Sequence, residues 1–213
     1  GSKPEVKAIL LKSEGEKAFC AGASFDELLA IKDLETSKTF FGGFAKVLNA
    51  MRTCRKIVVV RVQGKTTGGG VGIACAADYC FATENASLAL TEINLGIGPF
   101  VIGPYVERKI GKSQFTAMAI DADFRSANWA EQHNIYHSVS PTIAEMDSEI
   151  AQFLEKLASR SSDALALIKK VSWEGTEHFT ELSPERIHMS ASLILEDTAK
   201  KNIEKIKENL RAK

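Results

Sequence analysis

Ile57-Val58-Val59-Val60-Arg61-Val62-Gln63 runs into Gly64-Lys65-Thr66-Thr67-Gly68-Gly69-Gly70, and Val71-Gly72-Ile73-Ala74-Cys75-Ala76-Ala77 comes next. The first seven residues are rich in β-branched apolar side chains and predict a strand buried in a sheet. The last seven are small and apolar and predict the start of a helix. At such a junction a glycine lets the backbone come close to a ligand, because no Cβ intervenes. The first N–H groups of the helix have no internal partner, and the helix dipole makes that end mildly positive. The junction can therefore hold a developing oxyanion, and Glu92, a little further on, is the candidate base beside it. This combination predicts an α/β enzyme.

Two nucleotide-binding patterns fail on the same stretch. Gly64-Lys65-Thr66 lacks the earlier glycine of a triphosphate loop, where Val59 stands instead. Ile73 falls where the dinucleotide fingerprint needs its last glycine. A second glycine turn supports the oxyanion reading. In Lys17-Ala18-Phe19-Cys20-Ala21-Gly22-Ala23-Ser24, Gly22 again permits a sharp bend, so the N–H of Ala23 can face that of Gly69 across a cleft. Two backbone donors converging on one carbonyl oxygen form an oxyanion hole, each donor contributing about 2.7–4 kcal/mol in known cases.

Outward from these motifs, 6–11 reads as a strand buried on both faces. Residues 25–31 read as a short helix with Ser24 as its N-cap, and 36–54 as a longer one through Phe40, Phe41, Phe44, Val47, Leu48 and Met51. Gly42-Gly43 weakens the longer helix by about 1 kcal/mol per glycine. Strands are expected at 79–83 and 87–90, then a glycine- and proline-rich loop at 96–104. From Val101 onward the pattern is helical, most clearly over 143–159, 163–173 and 184–210. The expected organisation is an α/β core over 1–140 and a helical region over 141–213.

The chain has 213 residues, 45% hydrophobic and 25% charged, with 27 basic and 27 acidic side chains. No net field draws it to nucleic acid or an anionic membrane, and no apolar run approaches the roughly 20 residues of a membrane span. Cys20, Cys54, Cys75 and Cys80 match no zinc spacing and read as reduced packing residues of a cytoplasmic protein, with a reactive role for Cys20, inside the second glycine motif, as the lesser alternative. His133, His137, His178 and His188 show no metal spacing, so no metal site is expected.

Together, KAFCAGA, the strand with GGGVGIACAADYCFA, and LALTEINLGIGP resemble the crotonase (enoyl-CoA hydratase/isomerase) superfamily, and the likeness continues through Val106–Gly111 and Ala127–Glu131. Within it, GGGVG and LGIGPFVIGPYV resemble the bacterial methylglutaconyl-CoA hydratase branch. The resemblance implies a ClpP/crotonase-like spiral fold of stacked small sheets with surrounding helices, and C-terminal helices that build a homotrimer or hexamer. It implies an acyl-CoA thioester as substrate, with coenzyme A as part of that substrate and no separate cofactor. The amides of Ala23 and Gly69 would bind the thioester oxygen, and backbone around Ala21 and Ala23 the nucleotide, with Lys17 or a C-terminal lysine on the phosphates. Phe100, Val101 and Tyr105 would shape the acyl pocket, and Asp78 is implied to be structural.

Glu92 matches one of the two glutamates of typical hydratases, while the other position, on the pocket wall, is Gly72. The implied activity is hydration of an enoyl-CoA, with 3-methylglutaconyl-CoA as the acyl group of the branch. Double-bond isomerisation by a single glutamate, or a non-catalytic acyl-CoA-binding role, are the alternatives. Family members carry several tens of residues ahead of the first strand; here an omitted stretch is the expectation, with Gly1-Ser2 read as a cloning scar or cut edge.

Overall fold

In the computed structural model, which describes residues 1, 3 and 5–211, the chain alternates between two four-stranded sheets. The first contains β1 (Ala8–Lys12), β3 (Ile57–Val62), β5 (Tyr79–Thr83) and β8 (Ser138–Ser140), in the order β1-β3-β5-β8, all parallel. The second contains β2 (Ala18–Cys20), β4 (Lys65–Thr67), β6 (Ser87–Ala89) and β7 (Arg125–Ser126), in the order β2-β4-β6-β7. There β2, β4 and β6 are parallel and β7 is antiparallel. Each of the first three turns of chain thus lays one strand in each sheet, which winds the backbone into a spiral.

The apolar run at 57–62 is central because all six of its residues are buried, as an interior parallel strand requires. The strand predicted at 6–11 is different. It pairs on one side only, with β3, and four of its five residues are half-buried, so the expected burial on both faces is not found.

Ser24 caps α1 (Phe25–Ala30) by accepting from the Glu27 N–H. Asp33 caps α2 (Leu34–Thr53) by accepting from Thr36 N at 2.8 Å, so that helix starts two residues earlier than its apolar spacing suggested. Gly42-Gly43 does not interrupt it, because α8 (Phe179–Leu193) packs along it and Ile187 lies against Gly42. After α3 (Gly69–Ala76), α4 (Gly103–Asp121) is broken at Gly111, where φ is 76°. A short α5 (Ala127–Gln132) leads to β8. Next come α6 (Ile143–Ser159) and α7 (Ser162–Ser172), which place Met146, Ile150, Leu157 and Leu165 in one cluster with Ile57, Val59 and Phe81 of the first sheet. The single helical stretch read at 184–210 is two helices. Between them Ile194, Leu195 and Glu196 turn the chain, and α9 (Asp197–Arg211) folds back onto α1.

Asp78 joins three of these parts. Its carboxylate accepts from Val58 N at 2.8 Å and Trp173 Nε1 at 2.9 Å, and pairs with Lys169 Nζ at 2.6 Å. Lys169 also donates to the carbonyls of Met51 and Lys56, which satisfies the buried ammonium. The structural role expected of Asp78 is what these bonds perform.

Candidate active site

Parallel strands end together, so the loops that leave them meet at one edge. Ala18 pairs with Lys65 and Cys20 with Thr66; Thr66 pairs with Leu88 and Thr67 with Ala89. The residues after β2, β4 and β6 are Ala21-Gly22-Ala23, Gly68-Gly69 and Leu90-Thr91-Glu92. The three motifs singled out in the sequence are therefore neighbours because of strand register. Gly68 N donates to Ala89 O at 3.2 Å, and a Cβ on Gly22 would lie 3.4 Å from Thr67 Oγ1.

Gly68 is the N-cap of α3 at φ 53°, ψ −121°, a conformation that L side chains rarely adopt. Its missing Cβ also makes room for Glu92, whose Oε1 would stand 3.3 Å from that atom. The carboxylate thus rests against the start of α3, where the N–H groups of Gly69 and Gly70 have no carbonyl one turn back. Glu92 opens a 3-10 turn (Glu92–Leu95), closed by Gly96 at φ 83°. Its Oε2 is shut off from solvent and has no hydrogen-bond partner among the described residues. Burial pushes its pKa up to about 7, while a backbone hydrogen bond at its own N–H pulls the other way.

These groups face a cavity of about 980 Å³. Ala21, Ala23, Gly69, Glu92, Phe100 and Val101 all line it, together with Gly68, Thr67, Thr91 and Asn94. Phe40, Phe41 and Phe44 of α2 supply an aromatic wall that the sequence offered only as helical spacing, and Phe44 lies directly over Gly69. A further wall is α9, which turns Asn202, Lys205 and Asn209 toward the cavity while Ala199 and Ile203 pack into the core. That polar stripe at three- and four-residue spacing was the one legible signal of it. Glu92 is the only carboxylate and Lys205 the only cation that line the cavity among the described residues.

Three expected positions are elsewhere. Gly72 does not line the cavity: it lies inside α3, and a Cβ there would meet Ile102 Cγ2 at 2.5 Å and Leu48 Cδ1 at 3.6 Å. The space a second glutamate would need is filled by the isoleucine. Tyr105 lines a separate cavity of about 250 Å³ between α2, α4 and α8. Lys17 is exposed and is not among the residues lining the cavity. His137 accepts from Cys80 N at 3.0 Å, and burial lowers its pKa to about 4. No group of three or more His, Cys, Asp or Glu side chains among the described residues is arranged to hold a metal ion. No helix among them is long and apolar enough to cross a membrane.

Two small, mostly parallel sheets wrapped by helices, with helices at the C-terminal end, are the α/β crotonase fold. The structure resembles that of enoyl-CoA hydratase from Bacillus halodurans with a TM-score of 0.88, covering 96% of this chain and 83% of that one at 18% identity, a likeness of fold. The family model of enoyl-CoA hydratase/isomerase matches residues 2–212, and the chain belongs to that family. It is 34% identical over 170 residues to the mitochondrial enoyl-CoA hydratase of Pongo abelii, covering 78% of this chain and 56% of that protein. It is 36% identical over 107 residues to the mitochondrial 3-hydroxyisobutyryl-CoA hydrolase of Gallus gallus, covering 48% and 27%. The chain spans roughly half or less of the length of these curated relatives.

Proposed function

We propose that the protein hydrates enoyl-CoA thioesters, with the N–H groups of Ala23 and Gly69 as the oxyanion hole and Glu92 as the single acid–base residue. The observation that carries this reading is the Glu92 carboxylate set against Gly68 at the start of α3, with its Oε2 closed to solvent and without a hydrogen-bond partner among the described residues. Bound to two backbone donors, the thioester oxygen takes up negative charge as water attacks the β-carbon. The hydrogen bonds strengthen as that charge builds, so they lower the barrier rather than only hold the substrate. Glu92 accepts the proton from the attacking water and then gives a proton to the α-carbon. Water is added across the double bond and the carboxylate is regenerated. A pKa of about 7 leaves both forms populated near neutrality, which suits a residue that must take and give a proton in one cycle.

The filled space beside Gly72 favours a second reading. One base suffices to move a proton between the α- and γ-carbons, so double-bond isomerisation needs nothing further from this cavity. The acyl group to offer first is 3-methylglutaconyl, on the likeness at GGGVG and LGIGPFVIGPYV. Lys205 is the candidate cation for the phosphates of coenzyme A or for that acid's free carboxylate. A homotrimer or hexamer is part of the same reading, supported by the exposed Leu167, Ile168 and Val171 on α7. So is a cytoplasmic setting, supported by four free cysteines.

Assays in deuterated water with crotonyl-CoA, 3-methylglutaconyl-CoA and a 3-enoyl-CoA test it. Loss of the conjugated absorbance with solvent incorporated marks hydration, and a gain from the 3-enoyl ester marks isomerisation. Either rate should fall at least about a hundredfold in Glu92→Gln. Tight binding of the esters with no turnover of any of them would leave only the non-catalytic role.

A further inference from the structure

Cys20 ends β2 with Phe19, its neighbour, in the core. Its own side chain lies against the first turn of α3: a Cβ on Gly70 would meet Cys20 Cβ at 2.5 Å and Sγ at 3.1 Å. Cys20 lines the large cavity with Ala23, Gly69 and Glu92. The other thiols are placed differently. Cys75 and Cys80 are wholly buried, and burial pushes both thiols up, Cys75 to about 12. Cys54 is half-buried, accepts from Lys56 N at 3.4 Å, and lines neither cavity. An independent feature marks the space in front of Cys20 as a ligand's: Glu92 lines the same cavity, and its Oε2 has no hydrogen-bond partner among the described residues.

We propose that Cys20 is a covalent modification site for α,β-unsaturated carbonyl compounds that enter this cavity. The cysteine sulfur bonds to the β-carbon and the π pair of the double bond moves onto the carbonyl oxygen. The proton lost from sulfur is made good at the α-carbon. The net change is addition of S–H across the double bond, a thioether on the cavity wall, with no oxidant or other reagent consumed. The enoyl thioester as natural donor rests on the acyl-CoA reading above; the site itself does not.

The full chain is treated at pH 7 with one equivalent of N-ethylmaleimide, with and without excess crotonyl-CoA, and mapped by peptide mass spectrometry. Cys20 should be labelled at least about tenfold faster than any other cysteine. Crotonyl-CoA should slow that labelling, and prolonged incubation with it alone should leave its own adduct on Cys20. In urea all four cysteines should react, showing that the reagent is competent, and Cys20→Ser should resist modification when folded. Label distributed evenly, or found first on Cys54, would overturn the proposal. Fast, selective maleimide labelling that no CoA ester slows would uphold the modification site and remove the acyl-CoA reading of the cavity.

Discussion

Glu92 is a carboxylate that the folded chain would rather keep neutral. With no partner for Oε2 and a pKa of about 7 against an ordinary 4.5, the native state holds its proton more tightly than the unfolded chain does. The stability tied to the neutral acid is fully present below the unfolded value and is lost as pH rises through about 7. Glu92→Gln has no charge to bury. Relative to the parent it should gain stability between pH 5 and pH 8, by on the order of 3 kcal/mol, while losing activity. Urea unfolding of both proteins at the two pH values checks this, and a difference that does not change with pH would mean the carboxylate is solvated. Glu92 was legible in the sequence because an apolar strand precedes it and a glycine-rich loop comes after. The occupant of the space beside Gly72 was not. Ile102 lies far along the chain, and only the packing of the loop before α4 against α3 brings the two together.

At the scale of elements, the mostly apolar strands of five or six residues, the short β6 and the capped helices were readable, and the other strands of two or three residues were not. β2, β4, β7 and β8 are too short to show an alternation, and what makes them strands is register against a neighbour. Yet β2 and β4 carry the two glycine turns to one edge, so the register that makes them neighbours was hidden, although the turns and a cleft between them were read from the sequence. Asp78 shows the same limit. It comes just after α3 in sequence, but its partners are β3 and the residues around α7. Asp78→Asn keeps the shape and removes the charge opposite Lys169, which is only 3% exposed. An uncompensated buried ammonium costs about 3–5 kcal/mol. The variant should unfold at correspondingly lower denaturant, and its KM for a CoA ester should be unchanged while it remains folded, because none of these groups lines the large cavity.

For the whole molecule, the spiral explains why the site lies where it does. Each turn contributes one short parallel strand to the second sheet, so successive turns deliver successive loops to the same edge, and α9 returns to wall the space they leave. The helices beyond 140 contribute unequally to this. α6 and part of α7 fill the core beneath the first sheet, but α7 also turns Leu167, Ile168 and Val171 outward at 60%, 64% and 61% exposure. Three large apolar side chains on adjacent turns of one helix are unusual on a surface that meets only water. If copies of the chain associate through this stripe, Ile168→Glu sets a charge against an apolar partner face, and the cost of desolvating it should disfavour assembly. Sedimentation velocity should then find the parent as a trimer or hexamer and the variant shifted toward monomer, with unchanged urea stability of the single subunit. A parent that sediments as a monomer across the concentration range would leave the stripe without that role, and a variant that still assembles would place the contact on another face.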